Sequence, residues 1–361
     1  MVFLYFILLS SVVLYSEAAG SLTVQFNRSI AIPQSTFCVH FQISKTPLSP
    51  SPGYLEKFAN KRDFITQQWD GVMQRQVFNY LAKMTALENA RGNVLVTAQH
   101  VLNKADFKMF TDFLTDKDIS FAEVRDRFGE QLLDSLKASL LCYVLTPGAA
   151  LSPVGHGIGR LTYLSSNEAC FQLPSLQIHD SREHCSILIK DLHQVSFFDP
   201  NSPLTLSWSF ENPRFVEQND IHFQSNGVLS AKLGFETKAT WVIHAHYKAK
   251  QSEDCSENGN EACECQCRAE LIDGLCHCAA LTVDSSPPKG KLPCTAEKYA
   301  GCLRYSGLDD RDCVQKCRPA CHGLQHNFKY KEIPVPDHVD HNRAKITVRV
   351  GNFRYAVFEE Q

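Results

Sequence analysis

The sequence predicts a mixed α+β fold in which strand segments flank an inserted helical block and a cysteine-rich module. Three patterns predict it. Apolar residues alternate in the manner of strands near both ends of the chain, helical periodicity follows from residue 54, and eleven of the fifteen cysteines lie between Cys255 and Cys321. With 361 residues, of which 44% are hydrophobic, the chain is long enough to bury a sizeable core.

The density of thiols indicates an oxidising compartment, because disulfides persist outside the cytosol, whereas cytosolic thiols at this density usually bind metal. Because the total of 15 cysteines is odd, at least one sulfur has no partner within the chain. The formal net charge of −3 provides no basic footprint, so we expect no nucleic-acid partner.

Residues 1–19 begin with an uncharged apolar run that predicts either a signal peptide or a truncated first transmembrane helix. A signal peptide ends at a small-residue cleavage site, which Ser16-Glu17-Ala18 would provide. A spanning helix needs about 20 apolar residues, and this run is shorter. Either assignment places the remainder of the chain on one side of a membrane, where Asn27 in Asn-Arg-Ser is a candidate glycosylation site.

Residues 20–53 are predicted to form strands followed by a linker. Leu22, Val24 and Phe26 alternate with polar residues, which is typical of a half-buried strand. The proline-rich stretch 46–53 then ends the strand region.

Residues 54–160 are predicted to form the helical block, with helical periodicity as far as Leu145. Ser120-x-x-Glu123 is a capping box, which marks the start of a helix. The helix face that follows is expected to include Phe128, Leu132, Leu136 and Leu140. Glycines and prolines in 146–160 end the block.

The rest of the chain is predicted to return to strands on both sides of the cysteine-rich module. Short β segments occupy 161–250, the module occupies 251–325, and a last strand at 345–350 lies in the final segment, 326–361.

Two chemistries compete for the cysteine-rich module. Zinc sites usually contain paired C-x2-C knuckles, whereas this module has C-x-C and C-x3-C spacings, which favour disulfides over a zinc-binding domain. An EGF-like module could use Cys276-His277-Cys278, but its glycine-rich return is absent from the sequence. If two antiparallel segments face each other, the first cysteine pairs with the last and so inward, although spacing alone leaves many connectivities open.

No catalytic motif supports an enzyme. Gly155-His-Gly-Ile-Gly159 lacks the strand–turn–helix context of a dinucleotide fingerprint, and the signatures of serine hydrolases, zinc proteases and P-loop proteins are absent from the sequence. We therefore expect no catalytic residues, no metal site and no cofactor.

Several motifs resemble the ectodomain of the degenerin/epithelial sodium channel family, which includes the acid-sensing channels. Pro33-x-x-Thr36-x-Cys38, Glu168-Ala-Cys170-Phe171 and Trp241-Val-Ile-His244 are similar to three strand motifs of that family. The most specific match is the series Cys263-x3-Cys267-x8-Cys276-x-Cys278, followed by Cys294, Cys302 and Cys317-Arg-Pro-Ala-Cys321.

The resemblance implies a β-sheet palm and β-ball, an inserted helical finger at 54–160, and a helical thumb at 251–325 laddered by disulfides. It further implies one palm bridge and five thumb bridges: Cys38–Cys170, Cys255–Cys321, Cys263–Cys317, Cys267–Cys313, Cys276–Cys302 and Cys278–Cys294. Cys185 is a candidate partner for Cys142, and Cys265 has no family counterpart.

The resemblance also implies a function. An intact relative is an amiloride-sensitive, stimulus-gated sodium channel in the plasma membrane, assembled as a homo- or heterotrimer of subunits, with most of its chain extracellular. The sequence has no second transmembrane helix before Gln361, and Leu303–Ser306 replaces expected thumb carboxylates. The chain is thus expected to be a channel subunit or its ectodomain. The alternative is a secreted, non-conducting cysteine-rich binding protein derived from such an ectodomain.

Overall fold

The computed structural model describes most of the predicted strands and helices. The described residues are 20–26, 30–32, 35–43, 53–88, 105–144, 154–179, 182–190, 195, 197–199, 202, 204–209, 228–248, 259–279, 294, 298, 302, 313, 316–317, 322–336, 342–352 and 354–360.

The helices occupy two separate parts of the chain. Four lie in the predicted helical block and one in the cysteine-rich module: α1 (Lys61–Thr66), α2 (Gly71–Glu88), α3 (Ala105–Asp116), α4 (Phe121–Ser135) and α5 (Gly259–Cys276). The capping box that begins α4 is confirmed, since Ser120 Oγ accepts a hydrogen bond from Glu123 N and the Glu123 carboxylate accepts one from Ser120 N.

The strands occupy the segments on either side of those helices. They are β1 (Gly20–Phe26), β2 (Ile30–Ile32), β3 (Ser35–His40), β4 (Ser139–Val144), β5 (Val154–His156), β6 (Leu161–Leu164), β7 (Glu168–Leu173), β8 (Leu176–Ile178), β9 (Glu183–Ile189), β10 (Thr205–Ser209), β11 (Val228–Lys232), β12 (Phe235–Lys248), β13 (His322–Pro334), β14 (Ala344–Val350) and β15 (Arg354–Glu360). The α+β fold class is therefore confirmed.

The helical prediction is wrong after Ser135. Lys137 takes a positive φ of 44°, and Ala138 N donates to Leu133 O at 3.0 Å, which closes the last turn of α4 and turns the chain away from the helix axis. Leu140, which was placed on the helix face, lies instead in β4, where it pairs with Ile187 of β9. Pairing with a distant strand overrides the local apolar period here.

An eight-stranded sheet is built around the long strand β12. Its strand order is β1-β15-β12-β14-β9-β4-β5, and β13 also pairs with β12. Antiparallel β13 follows β12 over its whole length, with one register shift between Ile243 and Ala245. On the other edge of β12, parallel β14 pairs with its first half and parallel β15 with its second half.

A five-stranded sheet carries the first cysteine motif and packs on the helices. Its strand order is β11-β10-β3-β7-β6, and a separate two-stranded sheet joins β2 to β8. Phe37 of β3 stacks on Phe171 of β7, with ring centroids 5.1 Å apart. Gly129 of α4 crosses this sheet so closely that an added Cβ would lie 2.9 Å from Leu161 Cβ, and glycine permits that approach.

Buried polar contacts fix the two sheets and the helices in place. Thr237 of β12 is fully buried, and its hydroxyl donates to Ser230 O of β11 at 2.6 Å, which links the two sheets. Gln131 of α4 is also fully buried and accepts a hydrogen bond from Trp69 N at 3.0 Å. Such groups must be paired in a core, so they specify how the elements meet.

Candidate functional site: the disulfide framework and the strands that meet at β12

The first bridge joins two neighbouring strands of the five-stranded sheet. Cys38 of β3 lies directly opposite Cys170 of β7, and the structure bonds the two sulfurs. Their Cα atoms are 4.0 Å apart, and both residues are buried. This is the pair that the family resemblance implies for the palm.

A polar cluster lies beside that bridge on the same face of the sheet. His40 is two residues after Cys38, and Glu168, two residues before Cys170, is its register partner. His40 Nδ1 is 3.4 Å from Glu168 Oε1, and His40 Nε2 is hydrogen-bonded to Ser207 Oγ of β10 at 2.8 Å. The imidazole thus connects three adjacent strands.

The cluster favours neutral groups. Burial lowers the pKa of His40 below its ordinary value, and burial raises the pKa of Glu168. Both shifts oppose the charged forms, so desolvation outweighs the ion pair that a 3.4 Å contact would otherwise favour. The cluster thus brings together a serine, a histidine and a carboxylate. Ser207, however, lies in β10, whose backbone is hydrogen-bonded to a strand on each side.

This cluster was not predicted from the sequence. Its local signal is the two-residue offset of His40 and Glu168 from the motif cysteines, which places all four side chains on one face of paired strands. Ser207 had no such signal, because its proximity depends on the pairing of β10 with β3.

A second bridge ties β4 to β9 in the eight-stranded sheet. Cys142 and Cys185 are register partners, and the structure bonds them. Both lie on the core side of the sheet and are almost fully buried. Their pairing was open at the level of sequence, with Cys185 as a candidate partner for Cys142.

Three nested bridges anchor the end of α5. The structure bonds Cys267 to Cys313, Cys276 to Cys302 and Cys278 to Cys294. The later the first cysteine of a pair lies in the chain, the earlier its partner lies, as expected for two antiparallel segments. Each of these pairs matches one that the resemblance implies.

Packing and hydrogen bonds surround the innermost of these bridges. Ile272 of α5 is buried, Cys294 N donates to Ala279 O at 2.9 Å, and Lys298 Nζ donates to His277 O at 2.9 Å. His277 has a positive φ of 51°, which reverses the chain between the two bridged cysteines on either side of it.

The remaining expected sites lie at least partly outside the described residues. Cys317 is disulfide-bonded and buried, but the side chain of its expected partner Cys263 is not described. Cys255, Cys321 and the glycosylation candidate Asn27 are likewise outside the described residues, as is the side chain of Cys265. Those assignments remain predictions.

The edge of β12 changes partner at Gly351 and Asn352. Register pairing with β14 ends at Trp241–Val350 and pairing with β15 begins at Ala245–Ala356. Between them, Asn352 Oδ1 accepts a hydrogen bond from Ile243 N at 3.2 Å, and Asn352 Nδ2 donates to Ile243 O at 3.0 Å. A side chain therefore supplies the hydrogen bonds that a strand backbone would make, and sequence reasoning did not anticipate this role.

The first and last described strands are neighbours. β1 pairs antiparallel with β15, so that Gly20 lies opposite Glu360. The first and last described residues of the chain therefore lie at the same edge of the sheet.

Two features of the described residues concern membranes and metals. Among those residues, no helix has both the length and the apolar character needed to cross a bilayer. Cys38, Glu168 and Cys170 place potential metal-ligand atoms within 4.8 Å of one another. Because both sulfurs are used in the Cys38–Cys170 bridge, they are not available as thiolate ligands.

Comparisons of the chain with curated proteins and with solved structures give little information about its function. A search of curated proteins finds no match. Among solved structures, the chain is similar to a proton-activated chloride channel determined by cryo-electron microscopy, at 9% identity, over 99% of this chain and 79% of that chain, with a TM-score of 0.28. A TM-score this low gives no support for a shared fold.

The family comparison is more informative. The family model described as amiloride-sensitive sodium channel matches residues 209–356, the segment that contains β11–β14, the start of β15, α5 and the nested bridges. This is a family of ion channels rather than of enzymes, which supports the expectation that the chain is not an enzyme. Residues 209–356 are therefore similar to the amiloride-sensitive sodium channel family.

Proposed function

We propose that the chain is the extracellular part of a subunit of an amiloride-sensitive, stimulus-gated sodium channel in the plasma membrane. The observation that carries this proposal is the family match over residues 209–356, which coincides with the bridged helix α5 and the strands around β12. The buried disulfides agree with an extracellular location, because such bridges persist in oxidising compartments.

In this proposal the parts of the fold take the names that the resemblance implies. The two larger sheets are the palm and β-ball, with the Cys38–Cys170 bridge in the palm. Helices α1–α4 are the finger, and α5 with its bridged partner segments is the thumb. The neighbouring positions of β1 and β15 support this arrangement, because they direct flanking segments toward one place.

The proposed role of the extracellular part is to convert a signal into movement of the pore. Three bridges along the thumb make α5 and its partner segment move as one unit. Strand β12 contacts β13, β14 and β15. It begins just after β11, and its last residues pair with β15. Motion of the thumb against β12 would then reach the segments that flank β1 and β15.

The partners in this proposal are two further channel subunits, in a homo- or heterotrimer, and the sodium ion that the assembled channel conducts. A secreted, non-conducting protein with the same ectodomain is the competing function. The two differ in one property that can be measured directly, which is retention at the cell surface.

The test is to express the chain with a carboxyl-terminal tag in cultured cells, alone and together with subunits of this channel family. We expect tagged protein at the surface under biotinylation, and chemical cross-linking to the size of a trimer. Recovery of the protein from the medium as a free monomer, without surface retention in either condition, would support the secreted alternative.

A further inference from the structure

The face of the eight-stranded sheet that points away from the core carries a concentration of basic side chains. We define the basic face as Lys238, Lys329, Lys331, Lys345 and Arg349. The opposite face of β12 and β14 is largely buried, with Ala239, Trp241 and Val348 among its residues. Because side chains alternate along a strand, the five basic residues share the outer face.

The strand register places these residues in adjacent rows. Lys331 pairs with Lys238, which pairs with Thr347 of β14. In the next row Lys329 pairs with Thr240, and Thr240 pairs with Arg349. Neighbouring strands are about 4.8 Å apart and alternate residues along a strand about 6.8 Å apart. The cations therefore occupy neighbouring positions on one face of the sheet.

One carboxylate accompanies these cations in the rows that run from β13 to β9 through residues 236–240 of β12. Glu236 Oε1 is 3.0 Å from Lys345 Nζ, and Glu236 Oε2 is 3.6 Å from Lys238 Nζ. Thr347 Oγ1 also donates to Glu236 at 3.1 Å. One negative charge is thus shared between two of five cations, and the face keeps a net positive charge.

The charges of these cations also disfavour the protonated form of His184. His184 of β9 is the register partner of Arg349. Its pKa is lowered by burial first, and then by the charges of Arg349, Lys238 and Lys345, although a hydrogen bond to Arg182 O opposes that shift. Positive potential therefore extends across the β14 and β9 strands.

The chemistry of the face favours a polyanion over a protein partner. Lysines are depleted in the cores of protein interfaces, where aromatic and aliphatic anchors provide most of the binding energy. Here Lys238, Lys331 and Arg349 are exposed on one face of the sheet. Clusters of lysine and arginine bind nucleic acids or heparin-like chains, and the disulfide-rich chain is not expected to meet nucleic acid outside the cell.

We propose that the basic face binds a sulfated polysaccharide of the extracellular matrix. Its sulfates would lie along the rows formed by β13, β12 and β14, with the ammonium and guanidinium groups as partners. This inference uses the extracellular location of the proposed function and does not depend on channel activity.

The test compares binding of heparin, as the probe, to the full chain and to two triple variants. The first, Lys238→Gln with Lys329→Gln and Lys331→Gln, removes three charges from the basic face without touching Lys345. The matched control, Lys108→Gln with Lys232→Gln and Lys316→Gln, removes three exposed charges elsewhere. Circular dichroism and thermal melting of each protein verify that it remains folded.

We expect the first variant to lose at least about tenfold in heparin affinity and to elute from heparin at lower salt, because exposed charge contacts are screened by ions. The control should bind like the unmodified chain. Heparin binding that is absent in the unmodified chain, or equal in the two variants, would overturn the proposal. Equal or tighter binding of polyglutamate, or of anionic phospholipid vesicles, would overturn the assignment to a sulfated polysaccharide.

Discussion

Asn352 takes the place of a strand partner for Ile243. Its amide oxygen accepts a hydrogen bond from Ile243 N, at 3.2 Å, and its amide nitrogen donates to Ile243 O, at 3.0 Å. This contact bridges the gap on the edge of β12 between β14, which ends at Val350, and β15, which begins at Arg354. This edge of the eight-stranded sheet therefore depends on one side chain at the point where β12 changes its partner from β14 to β15.

Asn352→Ala should destabilise the chain by about 1–3 kcal/mol, because it leaves a backbone donor and acceptor of the half-buried strand without their partners. The free energy of unfolding in urea measures this change. Asn352→Asp is the matched control, since a carboxylate can still accept from Ile243 N but cannot donate to Ile243 O. We expect it to fall between the alanine variant and the unmodified chain, and equal stability of all three would contradict the assigned contact.

Gly351→Ala should also be destabilising, because an added Cβ would lie 2.6 Å from Thr240 Cγ2 and 3.1 Å from Val242 Cγ2. Overpacking of this kind typically costs about 1–3 kcal/mol. The second substitution Thr240→Ser removes the nearer methyl group and keeps the hydroxyl that accepts from Arg349 Nε. The double variant should regain part of the lost stability, and strict additivity of the two changes would argue against the close contact.

The loss of one bridge at α5 should lower stability, because the bridge restricts the unfolded chain. The bridge from Cys276 to Cys302 closes a separation of 26 residues, which corresponds to about 3–4 kcal/mol in the chain-entropy treatment. Cys276→Ser with Cys302→Ser should lower the free energy of unfolding by that order while leaving the other bridges intact. Non-reducing peptide mapping provides the control, and a scrambled pattern in the unmodified chain would exclude the nested arrangement.

The cluster of His40, Glu168 and Ser207 predicts that the stability of the chain depends on pH. Burial lowers the pKa of His40 in the folded chain from its ordinary value of 6.5, so the unfolded chain binds the proton more readily. Stability from this group is therefore present above that value and falls as pH decreases below it. Glu168 acts in the opposite sense, since its raised pKa makes the folded form the better proton acceptor at pH values above its ordinary 4.5.

His40→Gln should consequently flatten the melting temperature between about pH 7.5 and pH 5.5, because the variant has no imidazole to protonate. The exposed His179→Gln serves as the control and should retain the slope of the unmodified chain. An unchanged slope in the His40 variant would show that this histidine does not titrate differently in the folded and unfolded states.

Much of the fold could be predicted from local patterns, where the sequence and the tertiary structure agree. Ser120 and Glu123 predicted the start of α4, and the alternation of Leu22, Val24 and Phe26 predicted the strand β1. Residues 139–144 could not be predicted in this way, because their apolar spacing continues that of α4 and only pairing with β9 makes them a strand.

Some parts of the candidate site could be predicted from the sequence, and others could not. The cysteine spacings, together with the family resemblance, indicated bridges that the described residues contain, such as Cys278–Cys294. Asn352 and Ser207 carried no local signal, because their roles arise from strands that are distant in the chain. The basic face likewise emerges from the register of β13, β12 and β14, since its lysines are dispersed in the sequence.

The most direct test of the channel assignment is the sodium current of cells that express this chain with subunits of the same family. The proposed function predicts a sodium current that depends on the chain and is blocked by amiloride, and that is lost or altered when Cys276 and Cys302 are both replaced by serine. A sodium current that is the same with and without the chain, while the folded protein accumulates in the medium, would contradict it.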